Sequence, residues 1–202
     1  MKAIAITDHG VMYGAIDFYK ACKKEGIKPI IGCEVYLAPR TRFDKEPNID
    51  NKYYHLILLA KNEIGYKNLS KIVSIGFVDG YYYKPRVDLE ILEKYHEGLI
   101  CLSACIGGML PSAILNGEMD KAEEIALWHK NLFGDDYYLE LQANTMPEQA
   151  LVNQKLVELS KKLNIELVAT NDAHYTKKED AYNHEVLLCI QTGKKMADTD
   201  RK

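Results

Sequence analysis

The sequence lacks any apolar run near the roughly 18 residues that a membrane-spanning helix needs, and nothing at its start reads as a secretion signal. A membrane-embedded or exported chain is therefore set aside, and a cytoplasmic one is expected. It also lacks an excess of positive charge: 26 basic against 29 acidic side chains give a net charge of −3, so its bulk electrostatics do not advertise a nucleic-acid binder. A local patch stays compatible with that balance. Paired cysteines are missing too. Cys22, Cys33, Cys101, Cys105 and Cys189 are scattered, with no C-x-x-C, which argues against a disulfide framework and a zinc ribbon and leaves mostly buried free thiols. There is no internal repeat or low-complexity stretch. No G-x-G-x-x-G follows the first strand candidate, which weakens a dinucleotide-binding reading.

What is there is ordinary globular chemistry, 47% hydrophobic and 27% charged over 202 residues, enough for one sizeable core. The runs "KAIAIT", "KPIIGCEVYLA", "HLILLA", "GLICLSA", "YYLELQ" and "IELVAT" read as strands covered on both faces. Amphipathic stretches lie between most of them. "YGAIDFYKACKKEG" stops at Gly26, and "NEIGYKNLSKIVSIG" sets Ile64, Leu69, Ile72 and Val73 on one side. "DLEILEKYHEG" opens on Asp88 as an N-cap, and "PEQALVNQKLVELSKKLN" opens on Pro147, where a missing N–H costs nothing. The alternation predicts an α/β fold with a mostly parallel sheet, preferably a barrel. "PRTRFDKEPNIDNK" is the long loop between the second and third strands. "GYYYKPRVD" reads as irregular, with Pro85 blocking a helix until Asp88.

Barrels of this kind collect their chemistry at the C-terminal strand ends. Those ends carry Asp8 and His9 in "TDHG", Glu34 in "IIGCEVY", Cys105 in "LSACIGG", and Asp172 with His174 in "NDAHY". Each alone has a plain reading: a turn or cap for an Asp-His pair, a lysine's partner for Glu34, a buried thiol for Cys105. Gathered at one mouth they read differently, because close acidic groups repel unless a cation lies between them. The mixed N, O and S donors suit Zn²⁺, Mn²⁺ or Fe better than Mg²⁺ or Ca²⁺. Among the other histidines, His96 and His129 read as solvated residues on charged helical segments, and His184 as a cap or packing residue. His55 precedes its strand, which puts it at the wrong end of a parallel barrel.

Taken in order, "AITDHG", "GIKPIIGCEVY", "YYHLILLAKNEIGYKNLSK", "GYYYKPRVD", "LSAC", "YLELQ", "ATNDAHY" and "NHEVLLCIQTGK" resemble the PHP (polymerase and histidinol phosphatase) domain at the N-terminus of bacterial replicative DNA polymerase III alpha subunits. The resemblance implies a distorted, seven-stranded TIM-like (β/α) barrel over residues 1–190, with 191–202 beginning the connection to a polymerase region. It implies a cluster of two to three Zn²⁺ or Mn²⁺ ions and, motif by motif, makes His9, Glu34, His55, Cys105, Asp172 and His174 ligands. Asp8 is then expected to orient the neighbouring imidazole. The family's opening H-x-H is absent from the sequence, so a chain lacking the first β/α element is expected, inactive by itself.

The activity implied is metal-assisted phosphoester hydrolysis, a 3′→5′ exonuclease that proofreads within a DNA-directed DNA polymerase, a nucleotidyltransferase of DNA replication. The implied partners are the 3′ end of single-stranded DNA and other replisome subunits. Lys84, Arg86 and Tyr83 in "YYYKPR" are candidates for gripping phosphate or stacking a base, the alternative being a segment that only seals a loop. Two other functions compete: a structural, partner-docking domain with a vestigial metal site, and a histidinol-phosphatase-like enzyme acting on a small molecule. The polymerase-branch motifs count against the second.

Overall fold

Strand and helix alternate as the apolar periodicities require, and the computed structural model describes residues 1–200. In chain order the elements are β1 (Ala3–Ile6), α1 (Ala15–Lys24), β2 (Lys28–Leu37), β3 (Tyr54–Ala60), α2 (Glu63–Val78), β4 (Tyr81–Tyr82), β5 (Lys84–Val87) and α3 (Leu89–Tyr95). They continue with β6 (Leu99–Leu102), α4 (Met109–Leu115), α5 (Met119–Phe133), β7 (Tyr137–Gln142), α6 (Pro147–Leu163), β8 (Glu166–Thr170) and α7 (Ala181–Thr192). Local chemistry sets several boundaries. Asn62 accepts the Gly65 N–H at 3.0 Å to cap α2, and Asp88 accepts the Ile91 N–H at 3.2 Å to cap α3. Pro147 opens α6, and Gly26, at φ 68°, turns the chain out of α1.

The chain divides into two compact units, Met1–Thr170 and a second from Asn171 onward, each described by itself. In the first unit the strands lie in the order β4-β5-β2-β3-β6-β7-β8, with β1 paired to β2, and the sheet curls into a half-barrel. Leu58, Leu69, Ile72, Leu92, Leu99 and Leu139 are fully buried where the helices pack on one sheet face. On the other face Ile57, Leu102 and Ala104 form a smaller apolar group with Tyr138 and Val168 beside it.

One expectation is corrected here: the sheet is mixed. β1 and β5 pair with β2 in parallel, as do β6 with β7 and β7 with β8, but β3 runs antiparallel to both its neighbours, β2 and β6. The cause was visible in the sequence. The loop between β2 and β3 contains no helix, and without a crossover element a chain returns antiparallel. A second correction concerns "GYYYKPRVD", which forms a short antiparallel hairpin of β4 and β5, with Tyr83 at its turn in the left-handed region (φ 60°). A third concerns His129. It is 2% exposed on α5, flanked by Phe133 and Tyr137, and its Nδ1 donates to the Ile125 carbonyl at 2.8 Å. His96 ends α3, where its Nδ1 donates to the Glu93 carbonyl.

Candidate metal centre

β1 extends past Ile6 alongside β2: the Asp8 carbonyl accepts the Glu34 N–H at 3.0 Å, and the Glu34 carbonyl accepts the Gly10 N–H at 2.8 Å. This sets His9 beside Glu34, and its Nδ1 donates to Glu34 Oε1 at 2.7 Å. The antiparallel course of β3 then does what a parallel strand could not. It brings the strand's first residues to the end of β2, pairing His55 with Tyr36, and His55 Nδ1 stands 2.9 Å from the same carboxylate oxygen. Tyr53 stacks on His55, with ring centroids 6.0 Å apart, and Tyr36 meets it edge-on at 5.6 Å.

Cys105 arrives by a turn. After β6 the chain passes through Ala104 at φ 65°, and the thiol comes to 3.5 Å from His55 Nδ1. Gly107 closes the turn from three directions: its N–H donates to Cys105 Sγ at 3.4 Å, its carbonyl accepts the His55 N–H at 2.9 Å, and its α-carbon lies against the imidazole. A Cβ there would sit 3.2 Å from His55 Nδ1, so any larger residue would press on the imidazole.

The electrostatics follow from these contacts. Burial would push the Glu34 carboxyl up, but hydrogen bonds from His55 and His9 outweigh it and hold the group at about 2. Burial would likewise push His55 down, yet its contacts with Cys105 and Glu34 raise it to about 10. Neighbouring Cys33 is a different kind of thiol. Its burial pushes it up to about 12, and its Sγ donates to the Asp8 carbonyl. The Asp8 carbonyl thus accepts from both the Glu34 N–H and Cys33.

One donor atom each from Glu34, His55 and Cys105 lies within 4.8 Å of the other two. A carboxylate, an imidazole and a thiol at such separations fit a borderline divalent ion such as Zn²⁺. His9, on the same carboxylate, is the fourth candidate donor. In the second unit, His174 Nδ1 donates to the Asp172 carbonyl at 2.9 Å, and the His174 and His184 rings lie 5.6 Å apart. The first unit therefore brings together His9, Glu34, His55 and Cys105, and the second places Asp172 and His174 side by side.

The substrate candidates separate. Arg86 is fully buried, and its guanidinium donates to the carbonyls of Gly80, Asp50, Arg42 and Asp44, which corrects the expectation that it grips phosphate. For this residue the loop-sealing alternative holds. Lys84 is half-buried with its Nζ 5.5 Å from the Tyr36 ring centre, and Tyr83 is 68% exposed. Sequence reading missed Tyr36, Tyr53 and Gly107 as parts of the site. The alternation of Glu34 and Tyr36 on one strand face was the available signal.

A curled α/β sheet with N, O and S donors gathered at its rim defines a metal-site domain of the barrel-like α/β class. The family model for the PHP domain matches residues 1–144. A DNA polymerase III subunit alpha of Borreliella burgdorferi is 52% identical over all of this chain and 18% of its own length. Those of Treponema pallidum and Thermus aquaticus are 50% and 46% identical, over 99% and 98% of this chain and 17% and 16% of theirs. A solved Bifidobacterium adolescentis chain, assigned as a metal-dependent phosphoesterase, is 13% identical with a TM-score of 0.49, covering 94% of this chain and 86% of that one. The chain belongs to the PHP-domain family. Its curated homologues are DNA polymerase III alpha subunits, and it spans about a sixth of their length.

Proposed function

We propose that this chain is the metal-dependent phosphoesterase domain of a replicative DNA polymerase and removes nucleotides from the 3′ end of single-stranded DNA. The observation that carries the reading is the convergence of Glu34, His55 and Cys105, with His9 on the same carboxylate. Asp172 and His174, paired in the second unit, are proposed as further ligands, and Zn²⁺ or Mn²⁺ as the ions. When bound, such an ion supplies Lewis-acid activation of water and charge stabilisation on phosphoryl oxygens. The protein's own share is positional. Glu34 holds both imidazoles by one oxygen, Gly107 sets the spacing of His55 and Cys105, and Tyr53 and Tyr36 fix the His55 ring plane. Lys84 and Tyr83 are proposed to meet the substrate's phosphate and terminal base. The longer protein is proposed to synthesise DNA in the cytoplasm with other replisome subunits.

The test uses the full-length polymerase with a 3′-labelled single strand. Trimming that depends on added Zn²⁺ or Mn²⁺ and disappears in Glu34→Ala supports the reading. Stoichiometric metal with no trimming would leave a structural domain in its place, and release of phosphate from histidinol phosphate would favour a small-molecule phosphatase.

A further inference from the structure

A second buried polar group lies on the same sheet face as the metal centre. Paired residues of β3, β6 and β7 share a face, and one register row runs Ile57, Leu102, Tyr138. That row belongs to the smaller apolar group away from the helices, and strand alternation places His55 and Glu140, each two residues along, on the same face. Counting two residues on from Leu102 as well reaches Ala104.

Glu140 is 4% exposed, which is costly for a carboxylate unless its oxygens are engaged. Its Oε1 accepts from Gln142 Nε2 at 3.0 Å and from Thr170 Oγ1 at 2.5 Å, tying the end of β7 to the end of β8. Its main-chain N–H donates to Ser103 Oγ at 2.8 Å, while the Ser103 N–H still donates to the Tyr138 carbonyl at 3.1 Å. β6 therefore keeps its ladder with β7 as far as Ser103 and leaves at Ala104. The Ser103 hydroxyl supplies the acceptor that the departing backbone no longer offers. This departure is the left-handed turn that presents Cys105 to His55.

We propose that Ser103 is a positioning residue for the metal centre: its hydroxyl, accepting from the Glu140 main-chain N–H, anchors the point where β6 leaves the sheet and so sets the approach of the Cys105 thiol to His55. The inference rests on the metal-site reading. It concerns a residue that belongs to neither the proposed ligands nor the proposed substrate contacts.

The experiment loads the full-length protein, stripped of metal, with Co²⁺ and follows the thiolate-to-cobalt charge-transfer absorption together with Co²⁺ affinity. The wild type is expected to show the band and Cys105→Ser to lose it. Ser103→Ala is expected to weaken Co²⁺ binding about tenfold and to shift or diminish the band, as happens when groups supporting a ligand are removed. Ser103→Thr, which keeps the hydroxyl, should restore it. Ile72→Val, a core change made elsewhere in the unit, controls for a general loss of stability and should leave band and affinity unchanged. Wild-type band and affinity in Ser103→Ala would overturn the inference alone, as would equal weakening in the control. A wild type without the band would overturn the metal-site reading and this inference with it.

Discussion

Two charged clusters sit in the first unit, and they are built on opposite plans. Around Arg86 every donor ends on a main-chain carbonyl of the 39–52 loop or its surroundings. Nearby, Arg42 pairs with Asp88 and Glu90, and Arg40 with Asp50 and Glu46. Around Glu34 the partners are two imidazoles, one of which also contacts a thiol: groups that bind a proton or a cation equally well. The first cluster spends its charge on holding chain in place; the second keeps its charge exchangeable. Proximity to the strand ends does not separate them, since Arg86 and Tyr36 are directly paired across β5 and β2. The identity of the partner atoms does.

The comparison can be broken most forcefully at Arg86. Arg86→Ala would strand several buried carbonyls and is expected to cost about 3–5 kcal/mol in urea denaturation, with Arg86→Lys recovering little because one ammonium cannot span the four acceptors. A loss below about 1 kcal/mol would remove the loop-holding role. Next in size is His129, which stands outside both clusters as a buried imidazole held neutral. Burial pushes it down from 6.5 to about 4, so the unfolded chain takes up the proton first. Stability is therefore complete above about pH 6.5 and declines as pH falls toward 4, by roughly 3 kcal/mol at most. His129→Phe should flatten that part of the stability profile, and an unchanged slope would contradict it.

Smaller effects sharpen the second plan. Glu34→Gln is expected to weaken Zn²⁺ binding by roughly 10–100-fold, measured against a competing chelator. A large fall in stability with unchanged metal binding would make Glu34 a structural residue like Arg86. The mildest change is Lys84→Ala. Stability should stay within about 0.5 kcal/mol, while the salt dependence of single-strand binding loses about one unit of slope. An identical slope would take Lys84 out of the substrate surface.

Much of the fold was legible because it is local. Asp88 caps α3 and Pro147 opens α6 as their residue types demand, and apolar runs mark β1, β2, β3, β6, β7 and β8. The candidate ligands His9, Glu34 and Cys105 were legible as strand-end residues with metal-type side chains. Arg86 and His129 were misread because an arginine among tyrosines and a histidine on a charged helix carry no mark of burial in their neighbours.

Residue type and spacing by themselves determined the alternation of elements, the candidate donors and the order of motifs that places the chain in its family. Tertiary structure decided the register of β3 on β2, and with it the arrival of His55 beside Glu34. It also decided which charged groups face solvent and which face carbonyls. The physical reason is one of range: caps, turns and periodicity act within a few residues, whereas strand register, burial and the meeting of donors depend on contacts between segments far apart in the chain.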